Sequence, residues 1–371
     1  MDEHHPLEDK TLNEPQNGTP PTEIQAGDGD TNSASSHGLR NALVIIGVIL
    51  FFTLPGAAVY FFINRSQTPT TNYTQNSASP TVSVKTATGL QLDPQKDYGN
   101  KYADGILPVG DGKYVTDSAK KGYIYLCHAN FVPASQAGAQ TRGPWFIGTD
   151  EWDINKKVHV SGSVDWDERL SMEVKNGQRL ITTNDLPNHH TGVFPVSIKD
   201  LAYNYDRNPN AISEQDLSYA LSASPEYGEP ECMGGEAGIM LTGAALFDGF
   251  DAGGRDAGAW EVQDTCEGHP QAKGEYHYHT LSSCITDIAV NKVIGFALDG
   301  FPITGPKVGD NNMLTSNDLD ECHGLVSDID LDGKTVNSYH YVMTQDFPYS
   351  VSCFRSKPIQ APGLDNDKHQ I

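Results

Sequence analysis

The heptapeptide GEYHYHT contains two histidines, His277 and His279, separated by one aromatic residue. Aromatic residues favour β-strands, and successive side chains of a strand point to opposite faces. Both histidines would therefore project from one face, with Tyr276 and Tyr278 on the other. Two adjacent neutral imidazoles on a β scaffold are typical ligands of a Zn²⁺ or Cu ion. The pattern predicts a transition-metal site, with His269 as the nearest candidate for a third ligand.

The same segment is also compatible with an ordinary strand, in which the histidines face solvent or form hydrogen bonds while the tyrosines pack inward. The flanking cysteines favour the metal site, because Cys266 precedes His269 and Cys284 follows His279. A disulfide between Cys266 and Cys284 would hold both histidine segments in register.

Four more residues are candidates for additional ligands or for groups that orient a ligand. Asp299 follows an apolar run and is either such a group or a turn residue, since Asp-Gly is a common turn. His340 is either a fourth ligand or a packed strand residue. His189 and His190 lie in a predicted loop, where they would either line the same cleft or be solvated.

The hexapeptide DIDLDG, from Asp328 to Gly333, resembles the first half of a calcium-binding loop. Tyr339 stands at the twelfth position, where such a loop carries a bidentate glutamate. This departure favours an acidic hairpin turn over a calcium site.

Turn signals and short alternating segments after residue 86 predict a mainly β fold, a large disulfide-stapled and sandwich-like domain with few short helices. Predicted strands include the segments 122–127, 157–160 and 292–298. Asn176-Gly177 between two alternating stretches predicts a type I′ hairpin. Short helices are predicted from Ser213 to Leu221 and from Asn317 toward Cys322. No period of 20 to 50 residues is visible, although the segment 276–279 has a partial echo in 339–342.

The uncharged apolar segment 42–63 is long enough to cross a bilayer at about 1.5 Å rise per residue. It follows 41 residues and is too long for a cleavable signal peptide, so it predicts a retained signal anchor. All six cysteines follow it, including the disulfide candidates Cys322 and Cys353. Disulfides need an oxidising compartment, which predicts a single-pass protein with a cytoplasmic N-terminus and an extracytoplasmic C-terminal domain. Reduced cysteines in a cytoplasmic domain are the alternative.

Four regions follow from these patterns. Residues 1–41 have the composition of a disordered acidic tail, residues 42–63 form the anchor, and residues 64–86 are a Ser/Thr/Asn/Pro-rich stalk. Residues 87–371 form the ectodomain, as one domain in preference to two fused β domains.

The formal net charge of −23 excludes a nucleic-acid partner at neutral pH and leaves cations or a basic partner open. The sequence contains no HExxH, GxSxG, GxxxxGK[ST] or GxGxxG motif, which disfavours the standard hydrolase and nucleotide-binding classes. Disulfide pairing would also remove the cysteines as nucleophiles.

The stretch CEGHPQAKGEYHYHTLSSC, followed by IGFALDGFPITGP, LDECHG and HYVMTQDFPYSVSCFRSKP, resembles the YHYH family. LPNHHTGVFP and NPNAI are similar to that family as well, so the resemblance covers residues 122–358. It carries no reaction, cofactor or substrate onto these residues. Thr304 stands where the family pattern leads us to expect an aromatic residue. The matching positions are His269, Tyr276, His277, Tyr278, His279, Asp299, Asp320, Cys322 and Cys353.

Three functions fit these patterns. The first, which we favour, is a membrane-anchored module that binds Cu or Zn for storage, delivery or structural purposes. The second is a cell-surface structural or interaction domain that binds no metal and meets a protein or matrix partner. The third is a metalloenzyme with one open coordination position and with Asp299 or Glu275 as general base.

Overall fold

The computed structural model describes residues 87–133 and 135–362, all within one compact unit. The predicted tail, anchor and stalk lie outside the described residues. Within these two ranges, no helix is long and apolar enough to cross a membrane.

The described residues form eighteen strands, one α-helix and three 3₁₀ turns, which confirms a mainly β fold with few short helices. The strands are β1 (Ile106–Pro108), β2 (Tyr114–Val115), β3 (Ile124–Tyr125), β4 (Phe146–Ile147), β5 (Glu151–Asp153), β6 (Leu170–Lys175), β7 (Gln178–Thr183), β8 (Leu217–Ser222), β9 (Glu236–Met240), β10 (Ala245–Phe247), β11 (Gly268–Pro270), β12 (Tyr276–Tyr278), β13 (Val293–Ala297), β14 (Pro302–Thr304), β15 (Lys307–Val308), β16 (Asn312–Met313), β17 (Gly324–Leu331) and β18 (Lys334–Val342). The helix α1 is Ala257–Trp260, and the 3₁₀ turns are Ile154–Lys156, Leu201–Asn204 and Ser316–Asp318.

The largest sheet has eight strands in the order β11-β12-β10-β9-β13-β14-β18-β17. Two of its pairings, β10 with β12 and β14 with β18, are parallel, and the others are antiparallel. The sheet supplies much of the apolar core, in which both tyrosine pairs are buried: Tyr276, Tyr278, Tyr339 and Tyr341. Smaller sheets are β1-β5-β4, β6-β7-β8, β2-β3 and β15-β16.

The eight-stranded sheet consists of two half-sheets with the same topology. We call β9–β12 the first half-sheet, and β13, β14, β17 and β18 the second half-sheet. The two half-sheets meet at the pairing of Phe296 on β13 with Ile239 on β9. On either side of it, Gly295 pairs with Met240 and Ala297 pairs with Gly238. A half-turn about the central pair exchanges these two pairings. An approximate two-fold axis therefore relates the two half-sheets.

Equivalent hydrogen bonds support this internal repeat. Each half-sheet has an aspartate that accepts two backbone N–H groups and a tyrosine hydroxyl. These groups are Asp264 with Cys266, Gly268 and Tyr276 in the first half-sheet, and Asp320 with Cys322, Gly324 and Tyr339 in the second. The partial echo between 276–279 and 339–342 thus reflects a structural repeat whose copies lie more than 50 residues apart.

A second tyrosine contact follows the same symmetry. Tyr278 donates its hydroxyl to Thr242 at 3.0 Å, and Tyr341 donates its hydroxyl to Asp299 at 2.7 Å. Each acceptor precedes a glycine in the left-handed region, with φ of 96° and 93° respectively. Asp299 is therefore a turn residue, the second of the two interpretations given by the sequence.

Several local predictions are confirmed. Asn176 (φ 54°) and Gly177 (φ 77°) connect β6 and β7 in the predicted hairpin. Asp332 (φ 50°) and Gly333 (φ 74°) connect β17 and β18, so the DIDLDG segment is an acidic hairpin and not a calcium loop. The predicted strands 122–127 and 292–298 contain β3 and β13.

Three local predictions differ from the structure. The segment predicted as a helix from Ser213 to Leu221 contains the strand β8, because its apolar residues alternate with period two and pair with β7. The segment 157–160 contains no strand and forms only a single bridge, from Val160 to Asp264. The helix predicted near Asn317 is a single 3₁₀ turn, Ser316–Asp318.

Three disulfides join the six cysteines and confirm the disulfide prediction. Cys266 pairs with Cys284, as predicted from their positions around the histidines. The other pairs are Cys322 with Cys353 and Cys127 with Cys232.

Candidate metal centre

Strands β11 and β12 bring three histidines together. His269 lies directly opposite His277 in the antiparallel register, and His279 follows β12 on the same face as His277. The imidazole centroids lie 4.5 Å apart for His269 and His277, and 4.9 Å apart for His277 and His279. One nitrogen from each ring lies within 4.8 Å of the others, and all three side chains are buried. The predicted strand thus presents its histidines as one cluster.

Two of the rings contact backbone carbonyls through Nδ1. The Nδ1 atom of His279 lies 2.5 Å from the carbonyl oxygen of Asp248, and that of His277 lies 3.3 Å from the carbonyl oxygen of Glu275. A carbonyl only accepts, so a neutral ring that pairs with it through Nδ1 keeps a lone pair on Nε2. The two Nε2 atoms lie 3.1 Å apart, within reach of one hydrogen bond. When both Nδ1 atoms carry the hydrogen, two lone pairs face each other, an arrangement that a cation would stabilise.

Glu261 completes the cluster. Its Oε2 atom lies 3.4 Å from Nε2 of His269 and 3.4 Å from Nε2 of His279. Among the described residues, neither this oxygen nor Nε2 of His269 has a hydrogen-bond partner. Nothing in the sequence pattern distinguishes Glu261 from the many other acidic residues. The residue follows α1, whose N-terminal cap is a buried aspartate, Asp256.

Three of the separations between these atoms match a metal coordination shell. For metal–ligand distances of about 2.0–2.1 Å, as found for Zn²⁺ with histidine or carboxylate, a tetrahedral site has ligand atoms about 3.3 Å apart. Of the six separations among the four ligand atoms, these three are 3.1, 3.4 and 3.4 Å. Three imidazoles and one carboxylate are a ligand set that suits Zn²⁺ and other transition metals.

Burial sets the charge state of the four side chains in the absence of a cation. It lowers the pKa of His269 and His277 well below the ordinary value, and that of His279 to about 4, so all three rings are neutral at pH 7. Burial, followed by the nearby carboxylates of Asp251 and Asp206, raises the pKa of Glu261 well above the ordinary value. Neutral imidazoles are the form that binds a metal ion.

The histidines and Glu261 line a cleft with a volume of about 740 Å³. Phe247 stacks on His277 with its centroid at 4.2 Å, which orients the imidazole. Phe131 and Phe250, which contact each other edge to face at 5.8 Å, also line the cleft. The cluster therefore forms a buried part of the wall of a cleft that is large enough for a small molecule.

The other candidate residues lie elsewhere. Asp299 accepts hydrogen bonds from Tyr341 and from backbone N–H groups, including that of Arg355. His340 contacts the hydroxyls of Thr304 and Ser327 through its two nitrogens, each at 2.8 Å. Neither of the two candidates in this region, Asp299 and His340, is among the residues that line the cleft, and the same holds for Thr304.

The loop histidines lie behind the tyrosine face of β12. Nε2 of His189 lies 2.5 Å from the hydroxyl of Tyr278, and Nε2 of His190 lies 3.4 Å from Oγ1 of Thr265. His189 also lies close to the sulfurs of Cys266 and Cys284, but these form a disulfide and offer no thiolate. Neither loop histidine lines the cleft.

Glu275, the alternative general base, is buried and accepts a hydrogen bond from Gln271. It is not among the residues that line the cleft. Glu261 is therefore the glutamate that contacts the histidine cluster.

Comparison with known proteins gives one match. Residues 218–313 match the family model described as YHYH protein. The match includes β8 to β16 and all four residues of the cluster, and it is shorter than the resemblance inferred from the motifs. No curated protein and no solved structure matches the chain.

Proposed function

Because the chain is a YHYH-domain family protein whose matched segment contains the histidine cluster, we propose that it binds one transition-metal ion, Zn²⁺ or Cu. The ligands are His269, His277, His279 and Glu261. The observation that carries this proposal is the convergence of ligand atoms, since the Nε2 atoms of His277 and His279 face each other at 3.1 Å. Burying such groups without a donor or a cation is unfavourable.

The internal repeat supplies a comparison. His340 is equivalent to His277, and its two nitrogens are paired with hydroxyl groups. That is the arrangement expected of a packed strand histidine, in which each nitrogen has a hydrogen-bond partner. His277 has a second histidine in place of a hydroxyl. The contrast supports a metal site at His277 and a structural role for His340.

Metal-dependent catalysis is the second candidate function. The cleft favours it, because the cluster lines a cleft that a small molecule can enter. A catalytic site keeps a coordination position open, so catalysis requires a fifth position beside the four protein ligands. The reaction is not specified by these residues.

We also propose that the metal-binding domain lies outside the cytoplasm and is anchored by the apolar segment 42–63. The three disulfides support this location, because disulfides persist in oxidising compartments. The anchoring membrane is a further partner in this proposal.

X-ray absorption spectroscopy on the metal-loaded full-length protein tests the proposed ligand set. We expect nitrogen and oxygen scatterers at about 2.0–2.1 Å and the multiple scattering of three imidazoles. Sulfur scatterers, or fewer than two imidazoles, would contradict the assignment. The His340→Asn variant is the matched control, and its spectrum should be unchanged.

A further inference from the structure

The walls of the cleft above the histidine cluster are aromatic. Phe131 is half-buried and forms an edge-to-face cluster with Tyr114 at 5.2 Å and Phe250 at 5.8 Å. A Cβ atom at Gly254 would lie 2.7 Å from the Phe131 ring, so the ring packs directly on the glycine backbone. Phe131 is therefore held in a fixed position. Phe247 adds a further ring, stacked on His277.

The polar groups of the cleft are largely engaged with the protein itself. Asp206 accepts the N–H groups of Val262 and Asn208, and Asp251 pairs with Arg255. These carboxylates are thus occupied by internal partners. Phe131, Phe247 and Phe250 would offer a ligand in the cleft aromatic contacts, together with whatever the cluster binds.

Charge indicates which ligand atom would reach the cluster. A divalent ion bound by three neutral imidazoles and one carboxylate keeps a net charge of +1. A ligand with one anionic oxygen would neutralise it. A neutral donor would leave that charge in place, and an ammonium group would bring a second positive charge to a buried site.

The volume of about 740 Å³ lies within the range of about 300–1,000 Å³ that small-molecule sites occupy. A planar ring packed against the edge-to-face pair of Phe131 and Phe250 would make the offset or edge-to-face contacts that aromatic groups prefer. The ligand class that fits both the wall and the charge is an aromatic molecule with one anionic oxygen.

Building on the proposed metal site, we propose that the cleft binds an aromatic oxyanion, with the oxygen on the metal and the ring against Phe131 and Phe250. The aromatic ring would make the cleft bind this ligand in preference to small anions. The anionic oxygen would make that binding depend on the metal.

The test is a titration of the full-length Cu²⁺-loaded protein with benzoate, cyclohexanecarboxylate and acetate, followed by the Cu²⁺ absorption and EPR spectra. Copper content is measured on the same samples. We expect benzoate to bind at least about tenfold more tightly than acetate and more tightly than cyclohexanecarboxylate, because only benzoate offers a π face. The Phe131→Leu variant should keep its copper and bind benzoate about three- to tenfold more weakly, with acetate unchanged.

Phe146→Leu is the control variant, because Phe146 is half-buried and does not line the cleft. It should bind benzoate as the wild type does. Equal binding of the three carboxylates to a copper-loaded protein would overturn the aromatic-oxyanion proposal and leave the metal site intact. A protein that takes up no copper or zinc would overturn both.

Discussion

His277 and His340 occupy equivalent positions in the two half-sheets, yet they have opposite surroundings. His277 is stacked against Phe247 and lies 3.1 Å, between Nε2 atoms, from His279. His340 is enclosed by the hydroxyls of Thr304 and Ser327. Thr304 is the equivalent of Phe247, and its hydroxyl pairs with Nδ1 of His340 where Phe247 stacks on His277. The same scaffold thus holds a histidine cluster in one half-sheet and a single packed histidine in the other.

Replacing His340 with Asn should lower stability without changing metal content. The substitution leaves buried hydroxyls without their partner, which costs about 1–3 kcal/mol at pH 7. Chemical unfolding of metal-free protein measures this difference, and elemental analysis measures the metal. A loss of metal from the variant would show that the second half-sheet takes part in the site.

The difference in stability between wild type and His340→Asn should also depend on pH. Burial lowers the pKa of His340 to about 3, whereas the unfolded side chain has a pKa of about 6.5. The unfolded chain therefore binds the proton first, and the contribution of His340 to stability is present above pH 6.5 and is lost as the pH falls toward 3. At pH 5 the difference should be about 2 kcal/mol smaller than at pH 7. A constant difference between pH 7 and pH 5 would rule out a buried neutral imidazole.

Glu261→Gln should affect the metal-free and metal-bound protein in opposite directions. The neutral amide removes a buried carboxyl group, so the metal-free variant should be at least as stable as wild type at pH 7. Metal affinity should fall by about tenfold or more, because an anionic ligand is lost. Isothermal titration calorimetry and chemical unfolding measure the two effects. An unchanged affinity would show that Glu261 does not bind the metal.

The disulfide between Cys266 and Cys284 should matter for the metal site, and not only for stability. It closes a loop with a sequence separation of 18 residues that contains all three histidines, and replacing both cysteines with Ala should cost about 3 kcal/mol. Metal affinity should fall as well, since β11 and β12 lose their shared constraint. The Cys322→Ala, Cys353→Ala double variant is the control, with a similar loss of stability and wild-type affinity. Equal affinities in both double variants would show that the disulfide does not position the site.

The parts of the fold that were predictable from sequence depend on local patterns. Asn176-Gly177 supplies the positive φ angles that a tight hairpin turn requires. Histidines and tyrosines alternate around His277, which indicates a strand regardless of the sheet that the strand joins. The segment before Leu221 was predicted to be a helix because Ser213 could cap one. Its apolar residues nevertheless alternate with period two, which is the pattern of a strand. In the structure the buried face of β8 determines the conformation.

Glu261 and the cleft were not predictable, because both depend on tertiary contacts. Glu261 reaches the histidines only because α1 and the following segment pack beside β11, and no spacing rule connects the two regions. The internal repeat leaves a trace in the sequence, because Asp264, Cys266 and Gly268 match Asp320, Cys322 and Gly324 at the same spacing. Its copies lie more than 50 residues apart, outside the period of 20 to 50 residues that is typical of repeat proteins.

Elemental analysis of the full-length protein, purified without a histidine tag or chelator, tests the metal site most directly when the His277→Gln, His279→Gln double variant is measured beside it. The account predicts close to one Zn or Cu ion per chain in the wild type and none in the variant, with circular dichroism and unfolding showing that both are folded. A folded wild-type protein that takes up no metal after incubation with Zn²⁺ or Cu²⁺, or a variant that retains it, would contradict the account.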